Sequence, residues 1–174
     1  MLEPRAFAET PGEIATLKAI FPVRQWAALS YDEHPWRFVV GRLGDPAWIR
    51  VFESLTAANR SSTKSAPVLF AWFAKRTFCQ NGAANRVAQH DVGVASAQIS
   101  LGATTHGLYN HGMAVFEPEW VAMSFGVPKE FEAVACWALG YRGDPVTLNE
   151  EPLQMDLSPR KGMAFAEIVF SAWV

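Results

Sequence analysis

An α+β fold, with a sheet packed between helical layers, is what this 174-residue sequence predicts. Three observations carry that expectation. Apolar residues recur at helical spacing in several segments that open on capping residues or proline. Three runs have a strand pattern, one of them apolar throughout. Helical and strand segments are interspersed without the strict alternation of a parallel α/β sheet.

The first helix is announced by Thr10, Pro11 and Glu13, a capping-box signature with proline at the first helical position, followed by Ile14, Leu17 and Phe21 at helical spacing. Pro22 then predicts a kink or break before Trp26. In "WRFVVGR" the large residues Trp36, Phe38 and Val40 alternate with Arg37 and Val39, which is a strand pattern. Asp45 and Pro46 open a second helix with Trp48, Val51, Phe52 and Leu55 on one face. "APVLFAWFAK" is apolar up to Lys75, the pattern of a strand covered on both faces and placed at the centre of the sheet. A long helix from about Asn85 to Thr105, buried on most sides, stops at Gly107. Pro118 opens a short helix bearing Trp120, Val121 and Phe125, closed by Gly126 and Pro128. "EAVACWALGY" reads as a further buried strand before the turn "RGDP". From Val146 the pattern fades into an irregular, extended arm, and the closing "AFAEIVFSAWV" is apolar enough that it must dock on this subunit or a neighbour.

These elements make one domain over residues 1–174, with an extended C-terminal arm over about 146–174. Half the residues are hydrophobic and only 18% are charged, so there is little material for disorder, and the apolar excess predicts burial against a partner subunit. A net charge of −2 with no basic stripe argues against nucleic acid as a partner. Cys79 and Cys136 have no Cys-x-x-Cys spacing, so both are expected to be reduced and structural. The opening "MLEPRAFAETPGE" lacks the apolar core of a signal peptide, which predicts a cytoplasmic protein. No charged side chain occurs from Val92 to Phe116, but Ser96, Gln98, Ser100, Thr104, Thr105, His106 and Asn110 interrupt that run, so it is expected to be a soluble helix and not a membrane span.

Motifs for side-chain chemistry are sparse. Asp32, Glu33, His34, His90, Asp91, His106 and His111 are of metal-ligating type, yet none has a metal-binding spacing, and no metal is expected. No Ser sits in a nucleophile elbow and neither Cys has an adjacent base in sequence. Glycine-rich phosphate loops are absent as well.

Five stretches in order, "PRAF" at Pro4, "RQWAALSYDEHPWRF" at Arg24, "NRSSTKSAPVL" at Asn59, "HDVGVASAQISLGATTHGLYNHGMAVF" at His90 and "WALGYRGDP" at Trp137, resemble the nitroreductase family of flavin enzymes. The ending "SPRKGMAFAEIVF" resembles that family's closing segment. The resemblance implies a three-layer α-β-α sandwich with a mixed, mainly antiparallel sheet, and a homodimer holding FMN at the subunit interface. It further implies reduction by NADH or NADPH and reoxidation by a small organic acceptor such as a nitroaromatic or quinone. The flavin is then the catalyst, and no catalytic side chain is expected, which accounts for the sparse motifs.

The resemblance also implies roles for particular residues. Arg5 and Arg160, with Lys161 beside it, match basic residues that meet the FMN phosphate. Asn59 matches an amide that bonds the polar edge of the flavin ring. Met113, Ala114 and Val115 match the segment whose backbone N–H groups reach flavin N5 and O4. Ser30, Asp32 and His34 match the loop that contacts the flavin from the second subunit. Departures are visible: Met1 and Glu3 stand where a basic residue and a serine are usual, and Gly162 where a second basic residue is. Asp32 and His34 replace amides and are expected to pair as carboxylate and imidazole. Loss of phosphate contacts leaves a second expectation open, a flavin-free or catalytically inactive dimer that binds a small ligand or a partner.

Overall fold

A computed structural model describes residues 4–11, 13–159 and 161–169. Four strands form one sheet: β1 (Trp36–Arg42), β2 (Val68–Lys75), β3 (Tyr109–Met113) and β4 (Phe131–Gly140). Their order is β1-β2-β4-β3, so β2 and β4 are interior, and all three pairings among the described residues are antiparallel. The mainly antiparallel expectation thus holds, without a parallel pair among these residues.

Helices cover both faces. Successive residues of β2 point to opposite sides. Val68, Phe70, Trp72 and Ala74 enter a core closed by α1 (Ile14–Ile20), the following 3₁₀ stretch Phe21–Trp26 and α4 (Ala88–Thr105). Leu69, Ala71 and Phe73 enter a second core closed by α2 (Pro46–Ser54) and α5 (Pro118–Ser124). The continuous apolar run is therefore the double-sided central strand its pattern predicted. Gly41 lets β1 and α2 touch, since a Cβ there would lie 2.1 Å from the Trp48 backbone nitrogen.

Local signals worked unevenly. Glu13 is the N-cap of α1 but makes no side-chain capping bond, so the Thr10–Glu13 capping box is not formed. Gly107 does end α4: at φ +70° it lets its own N–H bond the Thr104 carbonyl while the Leu108 N–H bonds that of Ala103. In the single chain α4 is not buried on most sides. One face, including Val92, Ala95, Ile99 and Ala103, is buried, while Gln89, Gly93, Ala97 and Leu101 are exposed. No described helix is long and apolar enough to cross a membrane.

Three helices and a strand were not expected. α3 (Ala57–Thr63) follows α2 after Leu55–Thr56, with the Thr56 hydroxyl capping it. β3 carries Asn110, His111 and Gly112 and forms because β4 offers it an unpaired edge. The arm is not irregular throughout, because it holds α6 (Glu150–Leu157) and α7 (Phe165–Ile168). Its apolar residues Met163, Phe165 and Ile168 do not dock on this chain, being 58% exposed or more.

Candidate functional site

The site begins where β3 leaves the sheet. Met113 is buried in the second core, so its side chain packs and does not face a ligand; Ala114 and Val115, next along, are exposed. Neither the Ala114 nor the Val115 N–H meets a backbone acceptor among the described residues. Asn59 stands against this corner, and its Nδ2 donates to the Val115 carbonyl at 2.8 Å. The Ser62 and Thr63 hydroxyls donate to the Asn59 carbonyl, and the Thr56 hydroxyl accepts its N–H. Its Oδ1 meets no protein donor among the described residues, so a fixed acceptor and two free backbone donors converge.

A cleft of about 410 Å³ opens beside Asn59, between α3 and α6, with Arg5, Ser61, Asn149 and Met155 on its walls. Arg5 is placed by an N-terminal segment that runs along residues 141–143, where Ala8 N–H bonds the Tyr141 carbonyl and Gly143 N–H that of Ala6. α6 is tied down at both ends. Asn149 Nδ2 donates to Ser61 Oγ at 2.9 Å, and Asp156 Oδ1 accepts the Arg5 N–H at 2.7 Å. The Asp156 side chain is 2% exposed, and its Oδ2 lies 3.6 Å from Arg142 Nη2, an ion pair too long for a hydrogen bond. His111 is buried nearby with Nδ1 unpartnered, and burial, with Arg5 adding to it, pushes its pKa down to about 4.

The structure thus brings together Arg5, Asn59 and the Ala114–Val115 backbone. Lys161 is exposed and makes no hydrogen bond or ion pair with them, and Arg160, like Met1 and Glu3, lies outside the described residues. Gly162 is exposed with open space around its Cα.

Ser30, Asp32 and His34 stand elsewhere, on the loop leading into β1, whereas Asn59 and Val115 adjoin the end of β3 at the opposite edge of the sheet. Tyr31, Asp32 and His34 all have φ between 46° and 55°, a left-handed geometry costing non-glycine residues roughly 1 to 3 kcal/mol each. Several bonds hold it. The buried Asp91 carboxylate accepts the Ser30 N–H at 3.0 Å, Glu33 accepts the Cys79 N–H at 2.7 Å, and Tyr31 packs edge-on against Phe78. Asp32 Oδ1 and His34 Nε2 are 2.9 Å apart, the pairing anticipated from their types. Asp91 and Glu33 therefore shape the loop. Among the described residues no group of three His, Cys, Asp or Glu side chains could hold a metal ion.

The cysteines are both free, yet not both inert by position. Cys136 is buried, and loss of solvent pushes its thiol up to about 12. Cys79 is exposed with Lys75 Nζ 2.7 Å from its sulfur, so one thiol has a cation beside it, which is a hydrogen-bond donor and not a base. The contact with Cys79 raises the Lys75 pKa. A β-strand end and the turn after it made this neighbour, which lies four positions away and gave no motif.

No family model matches the chain. An uncharacterized 15.4 kDa protein of Mycolicibacterium smegmatis is 38% identical over 86 residues; that match spans 49% of this chain and 58% of the relative's length. Solved structures are alike over nearly the whole chain. An oxidoreductase containing FMN superposes with a TM-score of 0.91 at 24% identity, covering 98% of this chain and 87% of its own. A nitroreductase family protein from Streptococcus pneumoniae gives 0.77 at 14% identity, with 97% and 94% covered. A protein from Desulfovibrio desulfuricans solved in complex with FMN gives 0.76 at 16%, with 98% and 91% covered. The chain has the nitroreductase fold that its sequence resemblance implied.

Proposed function

We propose that this chain, built on the nitroreductase fold, is a cytoplasmic FMN-dependent oxidoreductase that passes electrons from NADH or NADPH to a small organic acceptor such as a nitroaromatic or quinone. The observation that carries the reading is the corner where Asn59 is fixed against the Val115 carbonyl beside two free N–H groups. A flavin's polar edge carries both donors and acceptors, and the corner offers the complement of each. FMN, when bound, supplies the hydride and electron transfer. The chain's own residues hold and polarise. Asn59 Oδ1 accepts a ring N–H, the Ala114 and Val115 N–H groups donate to ring heteroatoms, and Arg5 supplies a cation for the phosphate, assisted by Lys161 and Arg160 of the closing segment.

Ser30, Asp32 and His34 serve the flavin of a second copy in this reading, because one chain keeps them at the far edge of the sheet. A homodimer is supported by the exposed Met163, Phe165 and Ile168, which need a surface to cover them. One observation favours a flavin-free ligand-binding dimer instead: a carboxylate, Asp156, already lies beside Arg5. Absorbance decides between them. Purified protein, incubated with FMN and desalted, is expected to keep a flavin spectrum near one per chain; protein that stays colourless after that treatment sinks the oxidoreductase reading.

A further inference from the structure

We propose that a cleft at the His34 end of β1 binds the ribose 2′-phosphate of NADPH and so selects NADPH over NADH. The inference rests on the flavin reading above and names the reductant within it. A cavity of about 640 Å³ opens there, lined by Arg24, Gln25, His34, Trp36, Arg37 and Phe38. Its wall thus carries two guanidiniums and an imidazole, and no carboxylate. Neither Arg24 nor Arg37 forms an ion pair among the described residues. The acids of the adjoining loop are already engaged, Asp32 by His34 and Glu33 by the Cys79 N–H. Both guanidiniums are held in place. Arg24 Nη1 donates to the Phe21 carbonyl at 2.7 Å, and its head lies over the Phe38 ring. Arg37 Nη1 donates to the Trp36 and His34 carbonyls at 2.7 and 3.0 Å, and its head lies over the Phe131 ring. Each keeps Nε and Nη2 donors without a protein partner among the described residues. Two fixed guanidiniums with free donors suit a phosphate monoester, which brings close to two negative charges and accepts forked N–H bonds. NADPH and NADH differ only in such a group. The cleft includes His34, a residue of the loop proposed to reach the flavin of a second copy, so in that reading it borders the site where the reductant is used.

The test titrates NADP⁺ and NAD⁺ by calorimetry into wild type, Arg24→Gln and Gln25→Glu. Wild type is expected to bind NADP⁺ about tenfold more tightly than NAD⁺, through charged hydrogen bonds that NAD⁺ cannot make. Arg24→Gln is expected to remove most of that preference while NAD⁺ affinity stays within about twofold. Gln25 is exposed and its side chain makes no hydrogen bond among the described residues, so Gln25→Glu leaves the fold intact. Its carboxylate on the cleft wall is expected to weaken NADP⁺ selectively, by about fivefold. Equal affinities in wild type, or equal changes for both nucleotides in either variant, overturn the proposal. If the chain retains no FMN, the flavin reading fails by itself, and adenosine 2′-phosphate set against adenosine then decides the charge preference of the cleft. A rise in melting temperature with adenosine 2′-phosphate that Gln25→Glu abolishes supports it; a rise shared with adenosine, or none, overturns it.

Discussion

β2 and the segment from Met163 to Ile168 are both apolar in sequence, and they end in opposite environments. β2 is hydrogen-bonded on both edges and seven of its eight residues are buried, divided between two cores. The C-terminal segment leaves Met163, Phe165 and Ile168 exposed, and α6 before it is fixed by polar ties at Asn149 and Asp156. Apolar content alone does not place a core. An apolar run becomes one only where neighbouring strands satisfy its backbone groups and helices close over its side chains.

That contrast can be broken at its strong end first. Trp72 is fully buried among Phe38, Phe70 and Trp137, and Trp72→Ala is expected to cost about 3 to 5 kcal/mol in urea unfolding. A cost below about 1 kcal/mol would place the stabilising core elsewhere. His111 is on the edge strand β3, close enough to Arg5 and Asp156 to feel their charges. Its folded pKa of about 4 is below the ordinary 6.5, so the unfolded chain takes up the proton first. Stability is fully present above pH 6.5 and falls by roughly 3 kcal/mol as the pH drops towards 4. His111→Asn should flatten that part of the profile, and an unchanged slope would assign the loss to other groups. The smallest effect is expected at the C-terminal end. Phe165→Asp should alter the stability of the single chain by no more than about 0.5 kcal/mol, yet lower the mass seen by light scattering if the segment docks on a second copy. A dimer that ignores the substitution removes the arm from the interface.

How much was legible in the sequence follows from the same contrast. β2 could be read because seven consecutive residues are apolar and buried, and β4 because its apolar run ends in the buried Cys136, Ala138 and Leu139. β3 could not, since in "YNHGM" only Tyr109 favours a strand while Asn110 and Gly112 disfavour one, and the segment owes its state to the edge of β4. α3 was hidden because only Leu55 and Thr56 separate it from α2. In the site, Arg5 and Asn59 were named through the family resemblance; nothing in their spacing puts them on one cleft. Asp156 and Arg142 escaped notice because their meaning depends on a contact between residues 151 positions apart, Arg5 and Asp156. Asp32 and His34 were the exception, since two residues with complementary chemistry on one tight loop left little else for each to bind.

The unequal cysteines have a practical consequence. Cys136 is sealed in the core with its thiol raised to about 12, whereas Cys79 faces solvent. A thiol-reactive dye on the native protein therefore has one address, with no cysteine to engineer in or out. That address sits on the residue whose N–H is held by Glu33, so a single fluorophore there reports on the strained entry to β1, the segment proposed to reach a second copy.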